Sequence, residues 1–191
     1  TVKNSPWKNG KGDVALDFVN ACRKYGIRPG FYHGAMNNAF LNVHNGKVGT
    51  QWIPGQARVT QEQYTKILLE NLRQLWTNYG ELAEVWFDGG YPEGTAELIA
   101  DLLNRTQPNA VAFQGPGKNV IRWAGTEGGH VQYPFWSTAD SSLDAGAGSS
   151  SGSVWAPGEA DTCFQTGSNA EYITSKHSNH PGKFFMAPYG G

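Results

Sequence analysis

At 191 residues, with 39% hydrophobic and 13% aromatic content, the chain is one ordinary domain or a piece of a larger one, long enough to bury a core. A formal net charge of −1 leaves no basic field for nucleic acid or anionic lipid and no acidic tail, so nucleic-acid and membrane-surface partners are disfavoured. The two cysteines, Cys22 and Cys163, have no CxxC spacing and do not make a zinc site, and no run approaches the roughly 18 apolar residues of a membrane span.

After a polar opening, Asp13 can cap a helix over about Asp13 to Tyr25. Ala15, Phe18, Val19, Cys22 and Tyr25 recur on one face, and Gly26 is the stop. A short apolar-aromatic strand follows at Ile27 to His33, ending in His33-Gly34, a polar side chain and a glycine at a C-terminal edge. His33 is read either as a substrate contact or as a hydrogen-bonded structural histidine. The stretch 35–59 is longer than a simple connector and so is functional or a lid.

Thr60 with Gln63 makes a capping box for the clearest helix. Tyr64, Ile67, Leu68, Leu72, Leu75, Trp76 and Tyr79 lie on one face, and Gly80 ends it. The strand at Leu82 to Asp88 comes directly after, so this helix is a crossover between two parallel strands. A third helix, about Thr95 to Arg105, buries Leu98, Ile99, Leu102 and Leu103 and leads to a strand at Ala110 to Gln114. Val120 to Trp123 also reads as a strand, yet Gly115 to Asn119 is too short for a helical crossover. Either that piece is loop-borne or the helix of the crossover has been lost. Beyond Ala124 the composition turns small and polar, with a Ser/Gly linker at Ser137 to Ser153 and a tail after Gln165 that predicts no regular elements.

The run Glu84-Val85-Trp86-Phe87-Asp88-Gly89-Gly90 organises the rest. Its apolar middle fits a strand covered on both faces, and the two glycines break it just after a carboxylate, letting backbone or ligand come close. Asp88 is then either an acid delivered to the edge where alternating strand–helix folds do chemistry, or a strand-end residue that caps the next helix. Two further acids stand in glycine-rich loops, Glu127 in Gly125-Thr126-Glu127-Gly128-Gly129 and Glu159 in Trp155-Ala156-Pro157-Gly158-Glu159. Hydrolysis of a glycosidic bond needs two carboxyl groups in opposite charge states, one attacking or steadying the anomeric centre and one protonating the departing oxygen. Asp88 suits the first task and Glu127 the second, with Glu159 competing for it. No Ser/His/Asp elbow, phosphate-cradling loop or dinucleotide fingerprint is present.

The ordered set Lys11-Gly-Asp-Val, Cys22-Arg-Lys-Tyr-Gly-Ile-Arg-Pro-Gly-Phe-Tyr, Glu84-Val-Trp-Phe-Asp-Gly-Gly, Phe113-Gln-Gly-Pro, Arg122-Trp-Ala-Gly-Thr-Glu-Gly-Gly and Trp155-Ala-Pro-Gly-Glu-Ala-Asp resembles the α-L-fucosidases of glycoside hydrolase family 29. The resemblance covers roughly Ser5 to Phe164. It implies an α/β fold of the (β/α)8-like TIM-barrel type, a retaining mechanism through a covalent fucosyl-enzyme, and neither a metal nor an organic cofactor. It also implies Asp88 as nucleophile and Glu127 as acid/base, with Glu159 the alternative. His33, Trp86, Trp123 and Trp155 are the expected sugar contacts.

A complete barrel takes about 250 residues, so about half of one is expected here. Residues 1–164 would form the partial catalytic domain, and 165–191 an unassigned tail in which His177 and His180 cannot be matched to the family's sugar-binding histidines. A half barrel on its own leaves strand edges unpaired and is expected to fold poorly. The expected partner is a fucosylated glycan, with no nucleic acid and no membrane, and the oligomeric state stays open. The sequon Asn104-Arg105-Thr106 adds an expectation of secretion to an extracellular, lysosomal or vacuolar site. A barrel glycosidase for another sugar, or a carbohydrate-binding barrel without chemistry, are the competing readings.

Overall fold

A computed structural model of the chain describes residues 5–124, 131, 133–140, 148–162 and 184–186. A short 3-10 turn at Trp7–Gly10 precedes α1 (Val14–Lys24), β1 (Gly30–His33) and a small hairpin of β2 (Val43–His44) and β3 (Lys47–Val48). Then come α2 (Gln61–Thr77), β4 (Glu84–Phe87), α3 (Ala96–Thr106), β5 (Val111–Phe113) and β6 (Val120–Ala124). A second hairpin pairs β7 (Thr138–Ala139) with β8 (Val154–Trp155), and β9 (Gly158–Thr162) and β10 (Phe184–Met186) follow. The main sheet has the order β1-β4-β5-β6-β9-β10, parallel from β1 to β9 and closed by an antiparallel β10. It is an open α/β sheet.

The capping chemistry read from the sequence forms as expected. Asp13 accepts from the Leu16 amide at 3.0 Å. Thr60 accepts from the Gln63 amide at 3.1 Å while the Gln63 side chain accepts from the Thr60 amide at 2.8 Å, completing a reciprocal cap for α2. Below that cap, Tyr64, Leu68, Leu72 and Trp76 recur every four residues and are buried. Leu68, Leu72 and Trp76 meet Val85 and Phe87 of β4, Ala112 of β5, and Ile99, Leu102 and Leu103 of α3 in one core on the helical side of the sheet, while Tyr64 packs with Leu41 and Val43 in a second, smaller cluster.

Two faces are less covered than their periodicity suggests. On α1 only Val19 and Cys22 are buried, while Phe18 is 47% and Tyr25 72% exposed, because α1 leads into the edge strand and has covering partners on one side only. Leu98, expected in the core, is 50% exposed on α3.

Across the short Gly115–Asn119 connection, β6 lies beside β5 and parallel to it, with Ala112 opposite Val120 and Phe113 opposite Ile121. The helix of that crossover is gone. A parallel return normally needs a dozen residues or more, but β5 is only three residues long, so the chain has little distance to regain. Gln114 makes the reversal in a left-handed conformation at φ 50°, and its amide donates to the Ile121 carbonyl at 3.0 Å. The long 35–59 stretch carries the β2–β3 hairpin, and the two ends of the Ser/Gly linker, Thr138–Ala139 and Ser153's neighbours Val154–Trp155, pair as β7 and β8. Phe184–Met186, within the stretch left unassigned, joins the sheet as β10 against β9.

Candidate active site

Side chains alternate across a strand, so Glu84, Trp86 and Asp88 share one face of the sheet and Val85 and Phe87 the other. The contacts agree. Val85 and Phe87 are 1% exposed in the helix-side core, whereas the Trp86 ring stacks between Tyr32 and Phe113, its register partners on either side, at centroid distances of 5.2 and 4.1 Å. The site face therefore begins as an aromatic row across β1, β4 and β5.

Asp88 follows the last residue of β4 and is exposed at the sheet's C-terminal edge. Its amide donates to the His33 carbonyl at 3.3 Å, which continues the ladder for one more residue. The Tyr32 hydroxyl donates to its carboxylate, Asp88 Oδ2. That bond, then burial and the charge of Asp88, push the Tyr32 phenol up to about 12, so it remains a donor throughout the range in which an enzyme would work. Gly89 and Gly90 leave the strand at φ 69° and 83°, a left-handed pair that L side chains rarely adopt, so the chain turns away at once and leaves the carboxylate standing at the edge.

Glu159 belongs to the same face, on β9 opposite Trp123. It is 5% exposed, and its Oε1 accepts from the Trp86 indole N–H at 3.1 Å. Its other neighbour is the Glu84 carboxyl. Burial first, then hydrogen bonding to Glu159 and its charge, raise Glu84 to about 8 from the ordinary carboxylate range. Glu84 Oε1 is buried and meets no hydrogen-bond donor among the described residues.

The other expected site residues divide. Trp86 and Trp123 are half-buried on the Asp88 face. Trp155 sits on the β7–β8 hairpin, off the main sheet, and is 67% exposed. His33 ends β1 one residue beyond Tyr32 and so points to the opposite face, where with Asp13, Phe18, Phe31, Gln74 and Tyr79 it lines a cavity of about 740 Å³ on the helical side. Burial there lowers its pKa and keeps the imidazole neutral. Glu127, Cys163, His177 and His180 lie outside the described residues.

Three contributors escape a reading of the sequence alone. Tyr32, not its neighbour His33, faces Asp88, and a one-residue difference in phase exchanges the two faces. Glu84 precedes the apolar run of β4 and carries no local signal of a partner. Arg122, within the Arg-Trp motif, is fully buried on the face opposite Trp123. Its Nε donates to the Ala156 carbonyl at 2.9 Å and its Nη2 to the Trp136 carbonyl, with the Phe135 ring 4.8 Å away. It ties the segment before β9 to β6 and so helps to place Glu159.

Comparison with known proteins places the chain beside α-L-fucosidases. A family model described as α-L-fucosidase matches residues 2–126. Over 184 residues the chain is 29% identical to α-L-fucosidase 1 of Arabidopsis thaliana, an overlap of 87% of this chain and 33% of that protein. A crystal structure of a Bacteroides thetaiotaomicron protein, provisionally described as an α-L-fucosidase, superposes with a TM-score of 0.64 and 33% identity, covering 80% of this chain and 38% of that one. A glycoside hydrolase family 29 member from an unknown rumen bacterium gives a TM-score of 0.61 at 30% identity, over 83% of this chain and 30% of that one. The chain thus spans about a third of the length of the curated relatives it matches.

Proposed function

Since the chain belongs to the α-L-fucosidase family, we propose that the protein containing it is a retaining exo-α-L-fucosidase, built on a (β/α)8-like barrel of which these strands and helices are about half. The observation that carries the reading is the placement of Asp88: an exposed carboxylate at the C-terminal edge of a parallel sheet, held by the Tyr32 hydroxyl beside an aromatic row. Its short side chain and that donor hold the carboxylate in one place, as an attacking group requires.

In the proposed reaction Asp88 attacks the anomeric carbon of a terminal α-L-fucose, and the bond to the leaving oxygen breaks as that oxygen takes a proton from the acid/base. A water then attacks the fucosyl-enzyme, giving its proton to the same group, and fucose leaves with its configuration retained. Glu127 is the proposed acid/base. Glu159 fits that task poorly, being buried and already accepting from the Trp86 indole. Trp123 supplies a ring on which a sugar's C–H face can stack, whereas Trp86, covered on both faces by Tyr32 and Phe113, can offer a sugar only its edge. The proposed substrates are fucosylated oligosaccharides or glycoconjugates, met in an extracellular, lysosomal or vacuolar setting.

The test is turnover of an aryl α-L-fucoside by the full-length protein. Asp88→Ala should lose at least a thousandfold in kcat and regain activity with azide, releasing the inverted fucosyl azide. Unchanged turnover in Asp88→Ala would remove the reading.

A further inference from the structure

We propose that Glu84 and Glu159 are a proton-sharing pair that positions Trp86, with the proton resident on Glu84. Three observations meet there. Glu84 and Trp86 point to the same sheet face two residues apart on β4, and Glu159 of β9 reaches both of them. Two ionised carboxylates in contact out of water repel, so one proton must lie between them. Its place follows from the donors available. Glu159 already has a donor in the indole N–H at 3.1 Å, whereas the buried Glu84 Oε1 meets no donor among the described residues, so Glu84 gains most from carrying the proton.

The arrangement acts on the site through Trp86. A carboxylate acceptor makes the indole bond charge-assisted and directional, and the ring so held is the middle of the stack Tyr32–Trp86–Phe113. Tyr32 in turn donates to Asp88. Glu84 and Glu159 are therefore positioning residues, joined to the carboxylate edge by one indole and one phenol. The other titratable groups described on this face are Tyr32 and Asp88. The flanking strands present Val111 and Phe113 from β5 and Ile121 and Trp123 from β6, and Arg122 is directed to the opposite face. The kinetic consequence rests on the fucosidase reading, but the pair and its grip on Trp86 do not.

The test uses the full-length protein with Glu84→Gln and Glu159→Gln, and Trp86→Phe to identify the Trp86 contribution to tryptophan fluorescence. In the wild type the Trp86 signal should change as pH rises through about 8, where Glu84 gives up the shared proton. Glu84→Gln, whose amide donates at every pH, should abolish that change. Absence of the change in the wild type, or its persistence in Glu84→Gln, would overturn the pair whether or not the protein hydrolyses fucosides. In kinetics, Glu159→Gln should raise KM about tenfold, by a similar factor for an activated aryl fucoside and for a fucosyl disaccharide, as loss of a charge-assisted bond predicts. A kcat loss confined to the disaccharide would instead make Glu159 the proton donor and end its assignment as a positioning residue.

Discussion

Tyr32 and Asp88 are 56 positions apart in the chain, and a single hydroxyl joins them. Tyr32→Phe removes the hydroxyl that holds the Asp88 carboxylate in place, so it should lower kcat/KM on an aryl α-L-fucoside. The loss of one bond to a charged group, about 1.5–3 kcal/mol, predicts a fall of roughly ten- to a hundredfold in kcat/KM. Glu84 has a different signature, visible in stability. Its native pKa lies above that of the unfolded chain, so native Glu84 still holds its proton where the unfolded carboxyl has lost it. Its contribution is complete below the ordinary carboxylate range and is lost as pH rises to about 8 and beyond. Urea midpoints measured from pH 5 to 9 should fall with pH in the wild type more steeply than in Glu84→Gln. The edge position of Asp88 was legible in the sequence because two glycines after an apolar run mark the end of a strand. Tyr32 was not, because Phe31, Tyr32 and His33 are all compatible with either phase of a strand, and phase is set by what the neighbouring strands present.

Among the elements, the joint between α2, β4 and α3 depends on one side chain. Gln107, 5% exposed after the last turn of α3, donates from Nε2 to the Trp76 carbonyl at 2.6 Å and the Gly80 carbonyl at 2.9 Å, and its Oε1 accepts from the Leu82 amide at 2.9 Å. Replacing it by alanine strands three backbone groups where water has little access, so Gln107→Ala should cost about 2–4 kcal/mol in denaturant unfolding. Thr60→Ala, which opens the cap of α2, should cost about 1 kcal/mol in the same measurement. The second effect is local and could be read from a four-residue motif. The first depends on where β4 lies relative to two helices, for which a glutamine after a helix carries no local signal. The tight β5–β6 return is similar: the length of Gly115–Asn119 excluded a helical crossover, but only the shortness of β5 allowed a parallel strand without one.

For the molecule as a whole, the open sheet has two faces of different character. One is packed by α2 and α3 into a core, and the other carries Tyr32, Glu84, Trp86, Phe113, Trp123 and Glu159. Phe87→Ala, at a ring 1% exposed on the helical face, should cost about 3–5 kcal/mol of stability. That loss should appear in unfolding curves of the full-length protein, with the fluorescence pH response assigned to Trp86 retained below the new midpoint. By itself the sequence determined the order of helices and parallel strands, the caps that start α1 and α2, and the strand that delivers Asp88. Those features depend on residues within a few positions of one another, where periodicity and hydrogen-bonding chemistry act directly. Only the tertiary structure decided that Tyr32 rather than His33 faces Asp88, that Glu159 is bound to Trp86 and Glu84, and that β6 lies parallel to β5. Each of these turns on the register between strands distant in sequence, and a shift of one residue there sends every side chain to the other face.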